Sequence, residues 1–465
     1  MTEKDLLVEN KNSLKGVDLF LGMVCILFFL DTAIPVASMG PVAIFWALII
    51  SLILYIPSSL IIAEQGSTYP DEGGMYVWVK MAYGKKWGAR MAWIYWVNNA
   101  IWISSLSTFI IGVFCSFFIP SASFASRIVL TLIYIWCLIF ICLRPVRESK
   151  LLTNVAAIFK LALLGGLVIC ALYYLSQNEW VPANDFSTMF NPDLEQALTF
   201  FPALIYNYIG FEVICSMGKN MKNPAKDFPK ASIGVAFLVS CLYMTTAAVM
   251  LVIIPLTDLD LINGIMDSFT LVLGTGTIGR AALFVIACMF LYTLITQAAT
   301  WIVGAARMAS TAARDHELPA VFAIMHPKHD TPLGTLLISG CIGTILTIFY
   351  GLTASNSEDL YWTLFSFTSM IAFLPYIINY QAFLKMRRID TQTIRPYRFP
   401  GHPFFATFFC RLGQIIFSAC IVLFVWVPGY PFDWRAALPL VSGVAISLLA
   451  GEYLIKRGVK PTRVD

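Results

Sequence analysis

Charge is scarce in this sequence. Asp, Glu, Lys and Arg make up 12% of the 465 residues, hydrophobic residues make up 58%, and the mean hydropathy is +0.76. Soluble domains carry about 25% charged residues, so a soluble multidomain enzyme, a disordered chain and a secreted disulfide scaffold are excluded. Histidine is scarcer still, with only His316, His326, His329 and His402. They have no metal-ligand spacing, and Pro327 keeps His326 and His329 off a common helical face. No nucleophile turn or phosphate loop accompanies them, so an enzyme is disfavoured and no metal or cofactor is called for. The net charge of +4 is too small to suggest nucleic acid as a partner. The 11 cysteines are odd in number and lie in or beside apolar runs, where they read as small buried side chains. No polar stretch is long enough for an independent soluble core, and there is neither a solenoid repeat nor a low-complexity segment.

What the sequence has instead is long apolar runs. A membrane-crossing helix needs about 20 of these residues, and twelve runs qualify: 18–39, 41–63, 88–117, 127–144, 152–175, 197–217, 231–255, 280–304, 333–351, 361–384, 405–428 and 436–454. The first continues through Asp31 and Pro35 into a second span and does not read as a cleaved signal peptide. The expected fold is an all-α polytopic membrane protein with the lipid bilayer as its surroundings. An even span count places both termini on one side. Of the 31 basic residues, 26 fall on that side, among them Lys85, Arg147, Lys226 and Arg387, whereas the opposite loops hold only Arg127, Arg280 and Arg435. Both termini are therefore expected to be cytoplasmic in a cell inner membrane.

Spans one and six each break near the middle beside an acid. In the first, Leu30-Asp31-Thr32-Ala33-Ile34-Pro35 puts a proline where it frees the carbonyl of Asp31. In the sixth, Tyr206-Asn207-Tyr208-Ile209-Gly210-Phe211-Glu212 combines backbone freedom at Gly210 with a second carboxyl. Paired broken helices point to an inverted-repeat secondary transporter with its site at the midplane. Asp31 reads either as a ligand group or as an acid bonded to a neighbouring helix. Glu212 reads as a ligand, a proton carrier or a structural acid. Lys160 lies inside the fifth span as an internal cation, a proton-releasing group or a side chain snorkelling to the interface. Glu64 reads as a helix-end residue, and Tyr206 stands where a ring caps a cavity.

Three motifs carry a resemblance over nearly the whole chain. They are Gly210-Phe211-Glu212 with Lys222-Asn223-Pro224-Ala225-Lys226-Asp227-Phe228-Pro229, then Tyr69-Pro70-Asp71-Glu72-Gly73-Gly74-Met75-Tyr76 after Glu64, and Arg307-Met308-Ala309 with Glu317-Leu318-Pro319 and Thr331-Pro332. The sequence resembles the amino acid-polyamine-organocation (APC) transporters, and within them Leu30-Asp31-Thr32-Ala33 with Thr68-Tyr69-Pro70-Asp71-Glu72-Gly73-Gly74 most resembles agmatine–putrescine antiporters. The resemblance implies a LeuT-type five-plus-five inverted repeat. Residues 18–175 and 197–384 would form the two halves, 405–454 spans eleven and twelve, and 1–17 and 455–465 the cytoplasmic ends. It implies that Lys160 stands where sodium-coupled relatives hold an ion, that Tyr206 closes over substrate, and that Glu212 serves gating and proton coupling. Asp31, Thr32, Ala33, Tyr206, Tyr208, Gly210 and Glu212 are the expected substrate-binding residues. An acid at the first break, where many amino acid carriers have glycines, favours cationic amines. Proton-coupled amino acid uptake and amino acid/amine exchange of the glutamate/GABA or tyrosine/tyramine type are the alternative. The partner is a small molecule, and the oligomeric state is open between monomer and homodimer.

Overall fold

Among the described residues every regular element is helical. The computed structural model describes residues 16–71, 73–144, 150–190, 194–212 and 224–458. Several residues used above, including Glu72, Arg147, Lys222 and Asn223, lie outside the described residues, as does the side chain of Lys226. In chain order the main helices are α1 (Gly16–Leu27), α2 (Ala33–Ala37), α3 (Val42–Thr68), α4 (Met75–Tyr83), α5 (Lys85–Phe118), α6 (Phe124–Cys142), α7 (Lys150–Gln177) and α8 (Leu194–Tyr206). They continue with α9 (Pro224–Ile253), α10 (Gly264–Leu273), α11 (Thr277–Arg314), α12 (Leu333–Gly351), α13 (Ser357–Ile389), α14 (Pro403–Leu423) and α15 (Trp434–Gly458).

Ten of these helices are long and apolar enough to cross a membrane: α3, α5, α6, α7, α9 and α11 to α15. The apolar runs at 18–39 and 197–217 are absent from that set because each contains a break: α1 stops at Leu27 and α8 at Tyr206. Several helices outrun their apolar stretch. α11 continues ten residues past 304 to Arg314, and α13 runs to Ile389, because a helix needs no lipid once its polar turns reach water. Two short helices fall in stretches the sequence pattern left as loops. α4 buries Met75, Tyr76, Trp78 and Val79, and α10 buries Ile265, Met266 and Phe269.

α5 and α13 are the central, most enclosed helices and pack against each other, whereas α6 and α15 are largely exposed. Their outward side chains, such as Ile133 and Phe140 on α6 and Leu438, Ile446 and Leu449 on α15, are apolar, as a surface facing lipid requires. α9 packs on α1, α2, α3 and α7, and α8 packs on α2, α3, α13 and α14, so the two broken helices meet directly through α2. α3 carries a π-helical turn at Ser51–Tyr55. Pro57 follows it and has no N–H to continue the regular ladder, which accounts for the widened turn. Ends are capped where they meet water: Asn356 accepts from the Asp359 N–H at 2.8 Å, and Arg387 and Arg388 lie in the last turn of α13. Every cysteine among the described residues is unpaired.

Candidate functional site

The last carbonyls of a helix lack intrahelical partners, and inside a bilayer no water replaces them. The end of α1 is therefore a test of how the chain manages a break. The Val24 carbonyl accepts from the Phe28 N–H at 3.2 Å and Cys25 from the Lys160 ammonium at 2.7 Å. Ile26 accepts from the Trp301 indole at 3.0 Å and Leu27 from the Tyr243 hydroxyl at 3.2 Å. The Phe28 carbonyl accepts from Lys160, and that of Asp31 from the Tyr361 hydroxyl at 3.0 Å. Four helices, α7, α9, α11 and α13, thus each send one polar side chain to these carbonyls, and Lys160 from α7 takes two of them. Lys160 also suits the negative end of the α1 dipole.

Lys160 is 0% exposed, so its ammonium is internal and does not reach the interface. It also donates to Gln297 Oε1, and the Gln297 Nε2 donates to Asp31 Oδ1 at 3.3 Å. Asp31 is buried behind this amide and does not line the cavity described below. The reason is local: the break falls at 28–32, before Pro35, which sits inside α2. This placement turns Phe29, instead of Asp31, toward the cavity. Thr32 is buried and donates to Asn207 Oδ1, the Asn207 Nδ2 donates back to the Thr32 carbonyl at 3.3 Å, and Ala33 opens α2 as a packed residue.

At the second break the helix ends at Tyr206, and Gly210 takes φ +100°. A Cβ on Gly210 would come within 2.9 Å of the Trp301 ring and 3.2 Å of Leu27, so both conformation and contact demand glycine. The Gly210 N–H donates to the Tyr376 hydroxyl at 2.8 Å. That hydroxyl lies 2.8 Å from both Glu212 carboxylate oxygens, and the Tyr95 hydroxyl donates to Glu212 Oε1 at 2.9 Å. Glu212 is therefore held between α5 and α13. Tyr208 faces the other way, its ring 4.8 Å from Tyr55 and its hydroxyl 3.1 Å from Ser51.

Tyr206, Glu212 and Gly210's neighbour Ile209 meet Phe29, Tyr95, Asn98, Asn99, Trp102, Trp301 and Tyr376 around a cavity of about 20 Å³. Phe29 is its aromatic centre, 6.2 Å from Trp102, 6.2 Å from Tyr206 and 5.7 Å from Trp301. No lysine or arginine is among the lining residues. Tyr95, Glu212 and Trp301 also line a larger vestibule of about 450 Å³ that runs out past Gly73, Gly74, Arg307, Arg314 and Asp330. These three side chains therefore form the partition between cavity and vestibule. On the other side of Tyr206 stands the Phe365 ring at 5.1 Å, backed by Trp362 and Phe424.

Sequence reasoning missed Phe29, Trp102 and Trp301, since aromatics within spans ordinarily pack. It also missed Asn99, Tyr95, Tyr376 and Asn207, polar side chains whose partners are remote in the chain. Their position inside apolar runs was the available signal. Glu64 proves to be more than a helix-end residue. It is buried, paired with Arg387 at 2.8 and 2.5 Å and with Arg395 at 3.4 Å, and accepts the Phe399 N–H at 2.7 Å, fastening α3 to the α13–α14 connection. Close by, the Tyr69 hydroxyl and Thr393 bond to Asp390 and hold its carboxyl down at about 2. Lys80 makes a comparable tie from α4 to Asp315 and Glu317 at 2.7 and 2.8 Å. His326 and His329 stack at 4.8 Å in the α11–α12 connection, and no cluster of three or more metal-ligating side chains occurs among the described residues.

The family model for amino acid permeases matches residues 19–445. The chain belongs to the amino acid permease family. It is similar, at 32% identity over 94% of this chain and 93% of the relative, to the probable agmatine/putrescine antiporter AguD of Lactococcus lactis. It is also 24% identical to a glutamate/gamma-aminobutyrate antiporter of Lactococcus lactis over 80% of this chain and 76% of that one, and 26% identical to an uncharacterized transporter of Legionella pneumophila over 83% and 84%. This permease is thus a multi-pass membrane transporter of the APC type that moves a small molecule.

Proposed function

We propose that the protein exchanges cationic amines of the agmatine or putrescine kind, with Glu212 as the carboxylate that meets the substrate ammonium. The observation that carries this reading is the cavity wall: one carboxylate, the rings of Phe29, Trp102, Tyr206 and Trp301, and no basic side chain. An ammonium gains from the carboxylate and from ring faces within about 6 Å. A substrate carboxylate placed beside Glu212 meets like charge with no cation in reach, since Lys160 is sealed behind the Phe28 carbonyl. The similarity to AguD supports the same substrate class. The relationship to glutamate/gamma-aminobutyrate antiporters supports the alternative of amino acid/amine exchange, and the absence of a basic residue in the wall weighs against it.

On this reading Tyr206, Gly210 and Glu212 form the site, Thr32 and Asn207 join the two breaks behind it, and Tyr208 and Ala33 are packing residues. Asp31 acts through Gln297 on Lys160 instead of touching substrate. Twelve spans are counted when α1 with α2, and the apolar run 197–217 that opens with α8, are each taken as one span, residues 213–217 of that run lying outside the described residues. The inverted repeat of residues 18–175 and 197–384 is supported by element order. Each half runs as a broken helix, a long helix, a short helix (α4 or α10) and three long helices. The vestibule, with Arg307 and Arg314, opens to the cytoplasm, where both termini also lie. Exchange requires the Tyr95–Glu212–Trp301 partition to part on one side and the Tyr206–Phe365 stack on the other.

Glu212→Gln in purified, reconstituted protein tests the reading. Losing a charge-assisted hydrogen bond is worth roughly 1.5–3 kcal/mol, so amine affinity should fall about tenfold or more. Amine affinity unchanged in a folded variant contradicts the assignment.

A further inference from the structure

The outward stripe of α14 carries a cation among apolar side chains. Phe404, Phe408, Ile415 and Val422 are all exposed, and their spacings of four and seven keep them on one helical face. Arg411 is exposed in the same stripe, three residues after Phe408 and four before Ile415. Its Nη1 donates to Gln414 Oε1, a neutral acceptor, at 2.9 Å, and its Nε and Nη2 meet no partner among the described residues. Gln414 is itself held by the Gln381 amide at 3.2 Å and by its own bond to the Ile377 carbonyl at 2.9 Å, so the guanidinium is steadied with its two-nitrogen edge open. A guanidinium keeps its charge at every physiological pH, and one that faces lipid is relieved only by water or by an anion at its own depth.

More cations gather at this corner than acids can neutralise. Residues 385–411 hold six Lys and Arg against one acid, Asp390, which is bonded to Tyr69 and Thr393. Glu64 reaches in from α3, and it is already taken by Arg387, Arg395 and the Phe399 N–H. Arg388 and Arg398 are exposed and make no ion pair among the described residues. α13 and α14 run antiparallel, as the pairs Phe373 with Phe417 and Gln381 with Gln414 show. Counted along the two helices at about 1.5 Å per residue, Arg388 stands level with Thr407, about one turn from Arg411. Arg398 directly precedes Phe399, whose ring lies 6.1 Å from that of Phe409. We propose that this corner holds the headgroup of an anionic phospholipid, its phosphate on the open edge of Arg411 with Arg388 and Arg398 around it, and its chains along Phe404, Phe408 and Ile415. A guanidinium fork matches two phosphate oxygens at once, and basic clusters at the cytoplasmic end of a span attract anionic lipids. Free phosphate would meet the arginines but bring nothing to the ring face, so the anion that fits both is carried on a lipid. The site is independent of what the cavity transports.

Native mass spectrometry of the purified full-length protein in detergent, with phosphatidylglycerol and phosphatidylcholine of the same chains as the probes, tests the site. The wild type should retain phosphatidylglycerol at about tenfold lower lipid concentration than phosphatidylcholine. Arg388→Gln, Arg398→Gln and Arg411→Gln combined should bring the two lipids within about twofold of each other. Lys85→Gln, Lys86→Gln and Lys328→Gln combined remove the same charge from exposed positions elsewhere on the cytoplasmic side and should leave the wild-type preference in place. The wild-type comparison keeps the test decisive where the arginine variant does not fold. Equal retention of the two lipids by the wild type, or an equal loss of preference in both sets of variants, overturns the site. A dimer that forms with no lipid retained overturns it too, because the stripe is then an interface between copies of the chain.

Discussion

Thr32 and Asn207 hydrogen-bond each other in both directions, hydroxyl to side-chain carbonyl and side-chain amide to backbone carbonyl. Each residue sits in the break of a different helix, so the two irregular segments move as one piece unless this pair opens. Neither hydrogen bond has water to replace it, and leaving one buried partner unsatisfied costs roughly 1–3 kcal/mol. Asn207→Ala and Thr32→Val should each lower the melting temperature, and the double variant should melt no lower than the worse single one, because the two act through one contact. Additive losses measured by thermal denaturation in nanodiscs would show that the residues act separately.

Asp31 stands outside the cavity wall, so Asp31→Asn, which keeps the acceptor for Gln297 but removes the carboxylate charge beside Lys160, should leave amine affinity within about twofold while slowing turnover. Equilibrium binding and exchange rate on the same preparation separate the two effects. A tenfold loss of affinity would return Asp31 to direct contact with substrate.

Lys160 supplies the donor to the Cys25 and Phe28 carbonyls and to Gln297. A fixed ammonium at the α1 terminus makes a bound sodium ion unnecessary. Exchange should therefore proceed equally in sodium and potassium buffers, and Lys160→Ala should abolish most turnover in either. Sodium-driven uptake by the wild type contradicts this assignment.

In the α9–α11 connection, burial, with the Asp260 carboxylate second, pushes Asp267 up from the ordinary carboxylate range to about 6. A raised acid pKa means the folded state holds the proton more tightly, so the stability it contributes is present below about pH 4 and lost as pH rises through about 6. Asp267→Asn should melt higher than the wild type at pH 7.5, and the difference should shrink at pH 4.5. A constant difference across that range would trace the effect to something other than titration.

Much of this arrangement is legible in the sequence, for reasons that can be named. A lysine at position 160 amid apolar residues has few fates in a bilayer, and Gly210 beside an acid announces a break. The first break is displaced from the position suggested by Pro35 because tertiary donors, chiefly Lys160, Tyr243 and Trp301, decide where carbonyls can be left open. That shift is why Asp31 lies behind the cavity and Phe29 faces it. Tyr206 and Tyr208 differ by two positions, which in irregular backbone puts them on opposite sides, and no periodicity rule reports which side is the cavity. The wall residues Asn99, Trp102 and Trp301 come from helices with no pattern to distinguish a lining aromatic or amide from a packed one.

The most direct test of the amine reading is counterflow in proteoliposomes of purified protein. Vesicles loaded with unlabelled putrescine or agmatine should accumulate either labelled amine from outside, and empty vesicles or vesicles loaded with glutamate should not. Exchange of glutamate or neutral amino acids with no exchange of amines would contradict the account.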